Sequence, residues 1–302
     1  MHTQLKYRHF LDKKGSYLFQ QDWWLDTVYG AKNWDVILAE SEGEITDALP
    51  YGYERKMGFR LIRPALLTPY LANIDQTDAG SLLALMRQLP PSSECIIAVP
   101  PIASLEKPFA NTPDLNWQKK TTYLLPLNSS TDHIFQSFTH ERKRHIKKAA
   151  KHLEIVDNVW DLNHFITWHQ RSFANKKTNY PYMPAFIDQI VKTAQERHAV
   201  VCKQAFLEGK MIAQIACFYD TRAMYYLLGA YDDAYTYYNA MSLLMYACIQ
   251  DAHSLQLEIF DFEGSSDPGI AAFFAKFGAI QSHYYILSKR PSLLWKFKKM
   301  IR

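Results

Sequence analysis

Three apolar runs, His198–Leu207, Met211–Tyr219 and Ala223–Ala230, follow one another with almost nothing between them. Each has the length and the branched and aromatic content of a strand. Leu207-Glu208-Gly209-Lys210 joins the first two as a hairpin turn. Connections this short permit only antiparallel pairing, because a parallel pair needs a crossover of roughly a dozen residues. The second half of the chain must therefore be built on an antiparallel sheet. Helical patterns precede it, near Val159–Asn175 and Pro184–Arg197, and follow it at Ala240–Ala252. Strand Leu257–Phe262, helix Gly269–Phe277 and strand His283–Ser288 complete the order.

The first half gives a looser version of the same order. Trp23–Tyr29 reads as a short helix and Trp34–Ala39 as a strand. Ile45–Tyr51 and Met57–Ile62 read as further strands, separated by Pro50, Gly52 and Gly58. Helix Ala79–Leu89, strand Cys95–Val99 and strand Thr121–Leu127 follow. No repeated motif accompanies this, so a duplicated architecture rests on element order alone. The seam falls near 127–131, which divides the chain into residues 1–128 and 129–302. A long helix is expected from Thr131 to Leu153, with the apolar stripe Phe135, Phe138, Ile146, Ala149 and Leu153.

With 302 residues, 48% of them apolar, two ordinary domains with real cores are affordable. The net charge of +4 conceals a strong asymmetry. Arg142, Lys143, Arg144, Lys147, Lys148 and Lys151 against Glu141 make one stretch +5, and residues 289–302 carry +6. The remainder is acidic, so the basicity is local, as anion recognition needs. The four cysteines show no metal-binding spacing and read as reduced, buried thiols, and no metal is expected. The start of the chain has no signal-peptide core, and no apolar run approaches the ~20 residues that cross a bilayer. The expectation is a cytoplasmic protein.

Two segments carry chemistry. In the first, a strand ends, a loop follows, and a helix begins near Asn239, a good N-cap whose neighbouring N–H groups could bind an anion or a carbonyl oxygen. Tyr226 lies on the strand before that loop and joins the candidate substrate-binding residues. In the second, Asp261 and Glu263 alternate with Phe260 and Phe262, which places both carboxylates on one side of a strand. They are candidate catalytic residues, as a general base or as orienters of an attacking amine. Each could instead cap a helix or pair with the basic helix. Gly264 ends the strand, Pro268 opens the next helix, and Gly278 closes it after Lys276.

On the basic helix, Arg142 falls inside the apolar stripe between Phe138 and Ile146, with Lys147 beside it. A buried cation needs a partner, which could be Asp261, Glu263 or a substrate phosphate. His169, alone on the stripe of its helix, reads as a hydrogen-bonded core residue. The last segment, Ser292–Arg302, reads as a helix with Leu293, Leu294, Phe297, Met300 and Ile301 on one face. It could touch an anionic membrane surface, although a short terminal helix ordinarily packs onto its own protein.

The run Asp261-Phe262-Glu263-Gly264, followed by Phe273-Phe274, Lys276-Phe277-Gly278 and Ala279, resembles the closing segment of FemAB-type transferases. The basic run at 142–149 is similar to a basic helix of the same family. The opening, with Trp23-Trp24-Leu25-Asp26, Trp34-Asp35-Val36 and Ala48-Leu49-Pro50-Tyr51, also looks like FemAB proteins. The resemblance covers most of the chain. It implies an α/β (α+β) chain of two tandem GNAT-like domains, each a mixed, mostly antiparallel sheet flanked by helices, with the active groove in the second.

The family implies transfer of an activated acyl or aminoacyl group to an amine, from acyl-CoA or aminoacyl-tRNA. Arg142, Lys147, Tyr226, Asn239 and Lys276 would then bind substrate, with tRNA a possible partner. The chain departs from the pattern in lacking the long helical hairpin some members use near tRNA. Its Tyr231–Tyr238 loop also holds no glycine, where ordinary GNAT enzymes use glycines to bring backbone amides onto a pyrophosphate. The alternative is a non-catalytic protein on a degenerate GNAT fold that recognises a phosphorylated or glycan ligand. Nonspecific RNA binding through the basic helix is a third reading.

Overall fold

The computed structural model of the chain describes residues 2–14, 17–71, 79–100, 115–264, 267–289 and 291–295. In chain order, the first elements are α1 (His2–Lys14), α2 (Asp22–Tyr29), β1 (Trp34–Ser41), β2 (Glu44–Lys56), β3 (Phe59–Ile62), α3 (Ala79–Arg87) and β4 (Glu94–Val99). β5 (Leu115–Pro126), α4 (Thr131–Ser137), α5 (His140–Ala149), β6 (Glu154–Asp157), α6 (Leu162–Asn175) and α7 (Pro184–Glu196) follow. The chain closes with β7 (Val200–Leu207), β8 (Lys210–Tyr219), β9 (Ala223–Tyr231), α8 (Ala240–Ser254), β10 (Ile259–Asp261), α9 (Pro268–Ala275) and β11 (Ile280–Lys289). Two compact units result: Met1–Thr121 with Ser282–Arg302, and Thr122–Gln281. The seam drawn from the sequence fell at 128/129. The strand nearest it, β5, spans 115–126, and the last strand belongs mostly with the first unit.

In the first unit the strands run in the order β1-β2-β3-β4-β11, antiparallel except for the β3–β4 pair. Leu49, Ile62, Leu82, Leu85, Met86, Ile97, Val99 and Leu287 form one apolar layer. The sequence reading broke β2 too early. Pro50 sits inside the strand opposite Val36, and Gly52 opposite Trp34. Gly52 is there for space, because a Cβ would enter the Tyr29 ring. The turn lies instead at Met57-Gly58, both with positive φ.

In the second unit the order is β5-β10-β9-β8-β7-β6, again mostly antiparallel, with β9 and β10 parallel. The hairpin at Glu208-Gly209 takes positive φ at both residues, as a tight two-residue turn requires. Phe138, Ile146, Leu244, Cys248, Phe260, Phe262, Phe274 and Phe277 form the core against this sheet. Burying each such side chain contributes ~1.5–3 kcal/mol before entropy is counted.

The expected long helix from Thr131 to Leu153 is two helices. Phe138 is extended (φ −67°, ψ 148°), and Thr139 caps α5 by accepting from the Arg142 N–H at 3.3 Å. A threonine that offers its oxygen to the next turn competes with helix continuation. The break lets the Thr139 N–H reach the Lys276 carbonyl, 3.0 Å away at the end of α9.

Candidate active site

The site is set by a mismatch in strand length. β10 pairs with β9 only over Ile259–Asp261 and Ala223–Tyr225, while β9 runs on to Tyr231. Beyond Tyr225, the edge of β9 away from β8 has no strand partner among the described residues. The β8–β9 register also slips here. Cys217 faces Tyr226 and Ala216 faces Leu228, so Leu227 is an extra residue on β9. Such a bulge re-aims local backbone groups. Gly229 has no room for a Cβ, which would meet the Tyr226 hydroxyl and come within 2.9 Å of Met241 Cε.

Asp261 ends β10 and is 3% exposed. Its Oδ1 accepts from Thr122 Oγ1 and from the Glu263 N–H, both at 2.8 Å. The expectation of two carboxylates on one strand face fails, because the strand stops at Asp261 and Glu263 takes a left-handed turn conformation at φ 60°. Alternation applies only while the backbone stays extended. Glu263 is half-buried, and its Oε1 is enclosed without a hydrogen-bond partner. Burial, aided by the Asp261 charge, pushes its carboxyl well above the usual range. The same carboxylates lie near Tyr225, whose hydroxyl donates to Asp220 Oδ2 at 3.1 Å and is raised by burial and then by Asp220, Asp261 and Glu263.

Arg142 is 3% exposed, at the place in the stripe that helical geometry gives it. No carboxylate or other acid among the described residues pairs with it. Its guanidinium donates to Ser242 Oγ and to the Phe273 carbonyl at 3.2 Å, and its centre lies 4.0 and 4.4 Å from the Phe273 and Phe277 rings. Nε is buried without a partner, and burial lowers the group to about 10. Aromatic faces stand where an anion was expected.

The other candidates scatter. Asn239 occupies the N-cap position of α8, but in a left-handed conformation (φ 56°) that turns its amide to donate to the Tyr237 carbonyl at 3.0 Å, so its side chain does not cap the helix. Lys276 pairs with Glu141 at 2.8 Å. Lys147 is exposed, with Nζ 6.0 Å from the Phe135 ring. Lys148, which the sequence reading passed over, is the lysine that reaches the tyrosine loop. Its Nζ lies 3.0 Å from the Tyr237 ring centre and donates to the Tyr237 carbonyl at 3.2 Å. Tyr226 packs edge-on to Phe274 at 5.8 Å, and burial raises its hydroxyl.

His169 is not the hydrogen-bonded core residue expected. It stacks on Phe165 at 4.7 Å, with Phe173 and Tyr182 at 5.2 and 5.5 Å, and its Nδ1 is buried without a partner. Burial, then the Lys176 charge, lowers it to about 4. No group of His, Cys, Asp or Glu among the described residues is arranged to hold a metal ion. Among them, too, no helix is long and apolar enough to cross a membrane.

Residues 136–272 match the family described as an acetyltransferase (GNAT) domain. That stretch contains α5 to β10 and therefore the whole β9–β10 opening. The fold is shared by the solved structure of FemX at 12% identity and TM-score 0.74, covering 98% of both chains. L-PGS from Bacillus licheniformis matches at 12% identity and TM-score 0.56, covering 98% of this chain and 94% of the other. A tandem GNAT protein from the clavulanic acid biosynthesis pathway matches at 11% identity and TM-score 0.54, covering 96% and 95%. No curated protein matches the sequence. Residues 136–272 therefore match a GNAT domain, and the chain shares the tandem GNAT-like fold of these solved structures, the fold that the resemblance at 142–149 and 260–279 implied.

Proposed function

We propose that the unit Thr122–Gln281 is a FemAB-like N-acyltransferase or aminoacyltransferase that moves an activated acyl group onto an amine. One observation carries this reading: Glu263, a carboxyl with a raised proton affinity and an enclosed, unpartnered oxygen, stands where β10 leaves the edge of β9 open. An amine that attacks an acyl carbon must shed a proton. A carboxylate tuned upward toward neutrality is a better base for it than an ordinary one. The open edge of β9 beside the Leu227 bulge supplies backbone N–H groups for the developing oxyanion. Asp261 fixes the turn that presents Glu263 rather than acting itself.

The donor carries phosphates in this reading, as acyl-CoA and aminoacyl-tRNA both do. Lys148 and Tyr237, with the exposed Arg144, Lys147 and Lys151 of the same basic stretch, would face it. The purified protein is incubated with labelled acetyl-CoA, or with charged tRNA, and a panel of amines. Transfer that falls at least a hundredfold in Glu263→Gln, with donor-induced thermal stabilisation retained, supports the reading. Full transfer by the variant would sink it. The glycine-free loop Tyr231–Tyr238 favours the second reading, a non-catalytic binder of a phosphorylated or glycan ligand. That reading predicts stabilisation by nucleotide sugars without transfer.

A further inference from the structure

The unpaired edge of β9 lies beyond Tyr225, toward Tyr231. At the other end of the same sheet, Val200 pairs with Phe218 and Tyr219 with Met224. A cavity of about 590 Å³ opens there. That is within the ~300–1,000 Å³ of small-molecule sites. Two helices stop at it. Gln195 and His198 come from the end of α7, and Asp251, Ser254 and Leu255 from the end of α8. Each helix end carries partial negative charge on its last carbonyls.

The ionised side chains have the same sign. Lys203 is 5% exposed and is shared between Asp157 and Asp251 at 2.6 and 2.7 Å, so one cation stands against two carboxylates. Among the described residues no lysine or arginine lines the cavity. The side chains of Asn158, Gln195, Tyr219 and Ser254 line it and make no hydrogen bond to other described residues. Their oxygens can accept from a ligand N–H. Val200, Val201 and Leu255 add an apolar wall, and Tyr219 a ring. An anion would meet Asp251 and two negative helix ends. A bare metal ion would leave the apolar wall in water. A cation on a hydrocarbon chain satisfies both, since its N–H groups meet the acceptors while the chain covers the wall and the ring.

We propose that this cavity is a binding site for an aliphatic amine, with an ammonium at Asp251 and the end of α8 and the carbon chain along Val200, Val201 and Tyr219. It is separate from the β9–β10 opening and does not depend on acyl transfer there. The full chain is titrated by calorimetry with diaminobutane, and with butanediol and succinate as neutral and anionic chains of similar length. Saturable binding of the diamine alone, weakened by salt, is the expected result. Ser254→Lys sets a competing cation at the rim and should weaken binding about tenfold or more. Its melting temperature should not fall, because a lysine suits a helix C-terminus. Tyr219→Leu should cost about threefold. Asp251→Asn should weaken binding as much as Ser254→Lys, but it also leaves Lys203 with one carboxylate fewer, so Ser254→Lys decides. Absence of saturable diamine binding at low salt would overturn the proposal. So would equal binding of butanediol or succinate, or diamine binding that Ser254→Lys leaves unchanged, which would put the amine elsewhere on the chain.

Discussion

Arg142 donates to the hydroxyl of Ser242, which joins the basic helix α5 to the first turn of α8. The same guanidinium holds the Phe273 carbonyl and lies against two rings of the α9 segment, so one side chain ties three helices together. Arg142→Ala would leave Ser242 and the carbonyl unpaired and open a cavity between the rings. A cost of about 2–4 kcal/mol is expected, read as a lowered midpoint in urea with an unchanged slope. Arg142→Lys keeps the charge but not the planar stack, and should recover less than half of the loss. A neutral result for Arg142→Ala would mean that the side chain serves a ligand rather than the fold.

Glu263 gives a pH signature. Its folded-state proton affinity is raised, so the stability linked to it is present at low pH and lost as pH rises past the ordinary carboxyl range. Glu263→Gln should therefore melt higher than the parent at pH 8, and the gap should close toward pH 4. The acid limb of the transfer rate should disappear in the same variant. Melting curves across pH check the first point without any assumption about activity.

His169 should behave in the opposite sense. Its folded value is lowered to about 4, so its contribution is present above the ordinary histidine range and is lost as pH falls from about 6.5 to about 4. His169→Phe should remove that part of the acid sensitivity. An imidazole signal that titrates near 6.5 by NMR would contradict the enclosed placement.

The readable parts of this fold are those where one physical rule acts alone. The β7–β8 hairpin follows from two apolar runs and a turn too short for any crossover, and the burial of Arg142 from helical spacing. Where a second rule intervened, the sequence misled. Phe135, Phe138 and Ile146 fit one continuous helical stripe, but Thr139 offers its oxygen to the following turn and divides it. Glu263 fits strand alternation, but its N–H is taken by the Asp261 carboxylate and the backbone turns left-handed. Asn239 is a capping residue by type, yet its φ of 56° aims the amide at Tyr237. In each case a local hydrogen bond decides the backbone, and residue type alone does not say which bond forms. Lys147 and Lys148 could not be told apart in the sequence, because both are lysines on one helix. Only the position of Tyr237 separates them.

Lys148 and Tyr237 form the last test. The Lys148 ammonium lies 3.0 Å from the centre of the Tyr237 ring, and that tyrosine is 72% exposed. A surface cation–π pair is worth only ~0.5–1 kcal/mol, so Lys148→Ala and Tyr237→Ala should each leave the melting temperature within about 2 °C of the parent. If the pair faces a phosphorylated donor, each variant should weaken donor affinity about three- to tenfold with little change in the rate at saturating donor. The Lys148→Ala defect should shrink in 0.5 M salt, because screening removes the charge term from the parent as well. The Tyr237→Ala defect should persist, since stacking is largely indifferent to salt. Titration calorimetry with acyl-CoA and with tRNA at two salt concentrations separates these outcomes. Unchanged affinity in both variants would move the donor away from this helix altogether.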